Sequence, residues 1–133
     1  MAADRRRILV VNDTQEILEL FRAILSELGH DMIPMTYAPD DLEQVLAIKP
    51  DLAIIDFVLG GREFLGWQLV QKMRMKPETA RIPIIICTAA QREVQEQEGW
   101  LAKKGVTVVL KPFDLEELER AVARALRLAE MNG

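Results

Sequence analysis

Four continuous apolar runs, Ile8-Leu9-Val10-Val11, Leu52-Ala53-Ile54-Ile55, Ile84-Ile85-Ile86-Cys87 and Val106-Thr107-Val108-Val109-Leu110, alternate along the chain with stretches whose apolar residues recur every three or four positions. Runs of the first kind suit strands of a parallel sheet buried on both faces, and stretches of the second suit amphipathic helices. A fifth run over 31–37 is weaker, because Pro34 has no N–H to give to a ladder and belongs on an edge strand. Five strand–helix repeats predict a doubly wound parallel α/β sheet. With right-handed crossovers and the second strand at the edge, the expected order is 2-1-3-4-5.

The first helix is predicted over 15–28, with Ile17, Phe21, Ile24, Leu25 and Leu28 on its apolar face and Gly29 as its stop. Shorter helices are predicted over 40–48 and 64–75, the latter with Leu65, Leu69, Val70 and Met73 as its stripe. The next, over 91–104, has only Val94, Trp100 and Leu101 to hold it. It also carries Gly99, at a cost of about 1 kcal/mol relative to Ala, and so should be the loosest element. The last helix opens on Asp114 and Glu117 as a capping box and runs almost to Gly133 through Leu115, Leu118, Val122, Leu126 and Ala129.

A length of 133 residues suits one domain over 1–133 with a core of its own. The formal charge of −4 argues against a binder of nucleic-acid backbone, and Arg5-Arg6-Arg7 reads as a solvated terminus. Cys87, the single cysteine, cannot form an internal disulfide and reads as a small core hydrophobe, which suits a reducing cytoplasm. No apolar run approaches the ~20 residues that span a bilayer, and the first residues do not look like a cleaved leader. His30, the single histidine, reads as exposed just past a helix end; Trp67 and Trp100 are expected to be partly buried.

Chemistry gathers at the strand ends. Asp13, Asp56, Thr88 and Lys111 each follow or close an apolar run, and in open α/β sheets ligands collect at the carboxyl ends of strands. The expected order sets the first and third strands side by side, which brings Asp13 and Asp56 together. Two carboxylates, a hydroxyl and an ammonium suit a Mg²⁺ ion and a phosphoryl group, since Mg²⁺ takes one or two carboxylates plus phosphate oxygens and waters.

Asn12-Asp13, Asp56, Thr88-Ala89 and Lys111-Pro112-Phe113, in that order and placement, make nearly the whole chain resemble the receiver domain of two-component response regulators. The resemblance implies a flavodoxin-like (βα)5 fold and a stand-alone cytoplasmic receiver. Its Asp56 would accept a phosphoryl group from a sensor histidine kinase or phosphotransfer protein. Asp13, Asp56 and the backbone carbonyl of Val58 would hold Mg²⁺, and Asn12 would hydrogen-bond a metal-bound water. Lys111 and the Thr88 hydroxyl would bind phosphoryl oxygens, and Lys111-Pro112 would be a cis peptide. The output would be contact with a downstream protein effector, with a homodimer left open and neither nucleic acid nor membrane engaged. Catalysis would be limited to self-phosphorylation.

Departures from the family qualify these expectations. Asn12 stands where an acid is more usual, the loop Val58-Leu59-Gly60-Gly61-Arg62-Glu63 lacks the usual proline, and Val108 replaces the aromatic residue that moves in the family's switch. Two positions after Asp56 and two after Thr88 stand Val58 and Ala90, neither able to hydrogen-bond a hydrolytic water. One alternative is a pseudo-receiver acting as a phosphorylation-independent adaptor or dimerisation module, against which the four retained residues count. A phosphatase with an aspartyl-phosphate intermediate would want an acid where Val58 stands. A flavin binder would want a Ser/Thr/Gly-rich loop where the chain has the acidic 12–16.

Overall fold

The computed structural model describes residues 5–37, 42–56, 65–89 and 91–132, without the side chains of 91, 93 and 128–132. Its strands β1 (Arg7–Val11), β2 (Asp31–Met35), β3 (Leu52–Ile55), β4 (Ile84–Thr88) and β5 (Val106–Leu110) pair in parallel in the order 2-1-3-4-5. This is the flavodoxin-like arrangement expected from the sequence. The helices are α1 (Gln15–Glu27), α2 (Glu43–Ile48), α3 (Leu65–Met75), α4 (Gln91–Glu96), α5 (Glu98–Lys103) and α6 (Leu115–Asn132).

Alternation along the strands divides the core in two. Leu9, Val11, Ala53, Ile55, Ile84, Ile86 and Val106 pack with Val45, Trp67, Leu69, Val70, Met73, Val94 and Leu101 of α2 to α5. Ile8, Val10, Leu52, Ile54, Ile85, Cys87 and Val109 pack with Leu18, Phe21, Ile24 and Leu25 of α1 and Leu118, Val122, Ala125 and Leu126 of α6. Both faces of each central strand are covered, which is why those runs contain no polar residue.

Pro34 sits in β2 opposite Val10. Asp31 N–H donates to Arg6 O at 2.9 Å and Met35 O accepts from Asn12 N–H at 3.0 Å, so the odd-numbered residues of β2 turn their backbone groups towards β1. Pro34 therefore faces the open edge. Its missing N–H costs no ladder bond there and leaves that edge a poor template for another strand.

The first helix ends as the glycine suggested. Gly29 takes φ 86°, its N–H reaches Ser26 O at 3.0 Å and His30 N–H reaches Leu25 O at 2.9 Å, which together form a Schellman motif. The buried stripe differs slightly from expectation: Leu18 is buried, whereas Ile17 and Leu28 are half-buried at its margins. In α6 the Asp114 carboxylate accepts Glu117 N–H at 2.7 Å, as the capping box requires. Leu115, however, is exposed.

The helix expected over 91–104 is broken. It is α4 and α5, separated at Gln97, whose N–H makes the tight bond to Val94 O at 3.1 Å while Leu101 N–H begins a new turn on Gln97 O at 2.9 Å. No apolar residue lies between Val94 and Leu101 except Trp100, and Gly99 adds backbone freedom, so little holds one continuous helix to the sheet. Trp100 instead packs edge-on against the buried Trp67 of α3, with ring centroids 4.7 Å apart. Such a pair adds about 0.5–1.5 kcal/mol beyond its burial.

Two polar anchors could not be read from periodicity. The Arg74 guanidinium donates to Lys104 O at 3.1 Å, Ala80 O at 3.0 Å and Ile82 O at 2.7 Å, tying the end of α5 to the turn before β4; burial lowers its pKa from the ordinary value. The buried Thr79 hydroxyl donates to Met73 O at 2.7 Å, satisfying a carbonyl at the end of α3. His30 is half-buried rather than exposed, and its Nδ1 accepts the Arg6 N–H at 3.1 Å. Among the described residues no helix is long and apolar enough to cross a membrane.

Candidate functional site

The register of β1 on β3 builds the centre of the site. Val11 pairs with Ile55, and Asp56 N–H donates to Val11 O at 3.1 Å, so the chain leaves both strands at the same level. Two donors converge on one oxygen of Asp56. Lys111 Nζ lies 3.2 Å from Asp56 Oδ2, and Asn12 Nδ2 donates to the same oxygen at 3.2 Å. The Asp56 and Lys111 side chains are 13% and 25% exposed, so solvent screens this ion pair less than one on the open surface.

Asn12 is buried, and its orientation is settled by its second bond. Thr14 N–H, which can only donate, reaches Asn12 Oδ1 at 2.9 Å, leaving the amide NH₂ to face the carboxylate. Sequence reasoning assigned Asn12 to a metal-bound water; here it contacts the carboxylate itself. The adjacent Asp13 is exposed at the same strand end, and its Oδ1 accepts from Thr14 Oγ1 at 3.4 Å.

Thr88 closes β4 with its side chain buried, and its carbonyl accepts Lys111 N–H at 2.8 Å. That bond continues the β4–β5 ladder by one residue and delivers Lys111 to the mouth of the sheet. Lys111-Pro112 is cis, as expected. Phe113 then packs against Phe21 of α1, with centroids 6.2 Å apart. The structure thus joins Asn12, Asp56 and Lys111 by direct contact and sets Asp13 and Thr88 at neighbouring strand ends. Val58, the Gly60-Gly61 loop and Ala90 lie outside the described residues.

Cys87 precedes Thr88 but stays chemically quiet: burial pushes its thiol up to about 12, Lys111 pulling it down and Asp56 pushing it further up. Val108 is half-buried in the edge strand β5, where it and the exposed Leu110 border a groove with Val94, Gln95, Glu98 and Leu101. Among the described residues no three His, Cys, Asp or Glu side chains cluster as metal ligands. Two carboxylates, Asp13 and Asp56, at the ends of the paired strands β1 and β3 nevertheless fit a hard cation that completes its shell with water, carbonyl and phosphate oxygens.

A parallel sheet of this order, with Asp56 and Lys111 paired at its carboxyl edge, is the architecture of a response-regulator receiver domain. Residues 8–123 match the model of that family, and the chain belongs to it. It is 33% identical over 124 residues to the phosphate regulon transcriptional regulatory protein PhoB of Rhizobium meliloti (strain 1021), covering 93% of this chain and 53% of that protein. It is 29% identical over 121 residues to the protein PilH of Pseudomonas aeruginosa PAO1, covering 90% of this chain and 97% of that one. The chain therefore spans about half the length of the first relative and nearly all of the second. Among solved structures, a sensor protein from Polaromonas sp. JS666 superposes with a TM-score of 0.79 at 27% identity, over 93% of this chain and 98% of that chain.

Proposed function

We propose that residues 1–133 act as one receiver domain that accepts a phosphoryl group on Asp56 from a histidine kinase or phosphotransfer protein and signals by contact with a downstream protein. The observation that carries this reading is the half-buried Asp56–Lys111 pair at the carboxyl edge of the sheet, at 3.2 Å. In the transfer, an Asp56 carboxylate oxygen forms a bond to phosphorus. The phosphorus–nitrogen bond of the donor phosphohistidine breaks, and its electron pair returns to the imidazole. Lys111 then shifts its charge from the carboxylate to a phosphoryl oxygen, and the Thr88 hydroxyl donates to another. A Mg²⁺ ion held by Asp13, Asp56 and the Val58 carbonyl would supply further neutralisation of the phosphoryl charge. Intact-mass measurement after incubation with acetyl phosphate and Mg²⁺ should show one phosphoryl group per chain. A chain that stays unlabelled would instead be a phosphorylation-independent adaptor.

The responding surface is read as α4, α5 and β5. Among the described residues, Val94, Trp100 and Leu101 are the apolar side chains that attach the two short helices to the core, so an alternative packing is inexpensive when Thr88 is drawn towards a phosphoryl group. With Val108 in place of a ring, the helices themselves carry the change. Hydrogen exchange should differ most between Ala89 and Gly105 on phosphorylation; differences confined to α1 and α2 would refute this.

The acyl phosphate should also decay slowly. Neither Val58 nor Ala90 can hold a water in line with the phosphorus–oxygen bond. Val58→Asn should speed loss of the label by about 10-fold, the worth of one hydrogen bond from its amide to the attacking water. Rapid loss from the parent protein would show that water access is set elsewhere.

A further inference from the structure

Asn12 has two bonds of different kinds. Its Oδ1 accepts from the Thr14 backbone, a cap for the turn that follows β1, while its Nδ2 donates to Asp56 Oδ2. An aspartate at this position could keep the first bond but not the second. It would place a second carboxylate against Asp56, and the single Lys111 ammonium beside Asp56 would offset only part of the repulsion between the two, the rest falling to a bound cation. With asparagine, the contact is attractive when no metal is bound, and it falls on the same oxygen that Lys111 holds.

We propose that Asn12 is a positioning residue: its amide holds the Asp56 carboxylate in place in metal-free protein, so the site is assembled without a divalent cation and Mg²⁺ adds little to the stability of the fold. The proposal rests on the phosphoacceptor reading only for what Asp56 later does. The Asn12–Asp56 bond and its consequence for the metal-free fold can be tested without any phosphoryl donor. The cation is then needed for phosphoryl charge, whereas in a site with an acid at this position it would also be needed to relieve repulsion between carboxylates.

Thermal melting in chelator and in saturating Mg²⁺ separates the possibilities. Asn12→Asp keeps the Thr14 cap and removes only the donor to Asp56, so in chelator it should melt about 3–8 °C below the parent. Mg²⁺ should raise the variant by most of that difference and the parent by about 1–2 °C. The exchanged pair, Asn12→Asp with Asp56→Asn, restores one amide facing one carboxylate. It should melt in chelator no lower than Asp56→Asn alone, a comparison that stands even if Asn12→Asp by itself does not fold. The proposal is overturned if Asn12→Asp melts with the parent in chelator, if Mg²⁺ stabilises the parent as much as the variant, or if the exchanged pair is less stable than Asp56→Asn. Acetyl phosphate labelling of the parent is a separate readout: its failure would sink the phosphoacceptor reading while leaving these melting results to decide the role of Asn12.

Discussion

Asp56→Asn is expected to abolish the phosphoryl mass increment altogether. An amide oxygen or nitrogen at position 56 carries no charge to attack phosphorus, and it cannot form the acyl phosphate that a carboxylate can. The substitution is nearly isosteric, so any loss is chemical rather than a collapse of the site. It leaves Lys111 without this ion-pair partner, but that side chain is 25% exposed and can be solvated where it stands. The variant should therefore fold and remain unlabelled under conditions that fully label the parent. A variant that still takes up one phosphoryl group would assign the acceptor to another residue.

Asp13→Ala should weaken Mg²⁺ binding by about 100-fold or more, since loss of groups that merely orient metal ligands already costs 10–100-fold in other sites. On the proposed ligand set, removing Asp13 would leave Asp56 as the single charged ligand, and Lys111 already offsets part of its charge. Because Asp13 is exposed and lies in neither core cluster, melting in the absence of metal should change by no more than about 0.5 kcal/mol. Titration with Mg²⁺, followed by a binding signal rather than by phosphorylation, gives the affinity directly. An unchanged affinity would remove Asp13 from the metal site. Asn12→Asp should move the affinity the other way, because an added carboxylate favours the cation.

Much of this molecule was legible in local pattern. Continuous apolar runs marked β1, β3 and β4, because a strand covered on both faces has no solvent-facing position to give to a polar residue, and a run interrupted by Thr107 marked the edge strand β5. Pro34 marked the edge strand, Gly29 the end of α1, and Asp114 the start of α6. Once the order 2-1-3-4-5 followed from those elements, so did the convergence of Asp13, Asp56, Thr88 and Lys111 on one edge of the sheet.

Contacts between elements were not legible in the same way. Periodicity says which face of its own helix or strand a residue occupies, but not which atom of a distant residue it meets. Leu18 is buried whereas Leu28, the residue that caps α1, is only half-buried, because the sheet and α6 cover the helix body more fully than its end. The break at Gln97 depended on how little of the surface between Val94 and Leu101 the sheet and α3 could cover. Arg74 and Thr79 found carbonyls left over at the ends of helices, and His30 found the N–H of Arg6. The chain sequence determined that an asparagine would precede Asp13 at the end of β1. Only the pairing of Val11 with Ile55 decided that its amide would meet Asp56, because that bond exists through strand register, across 44 positions of sequence.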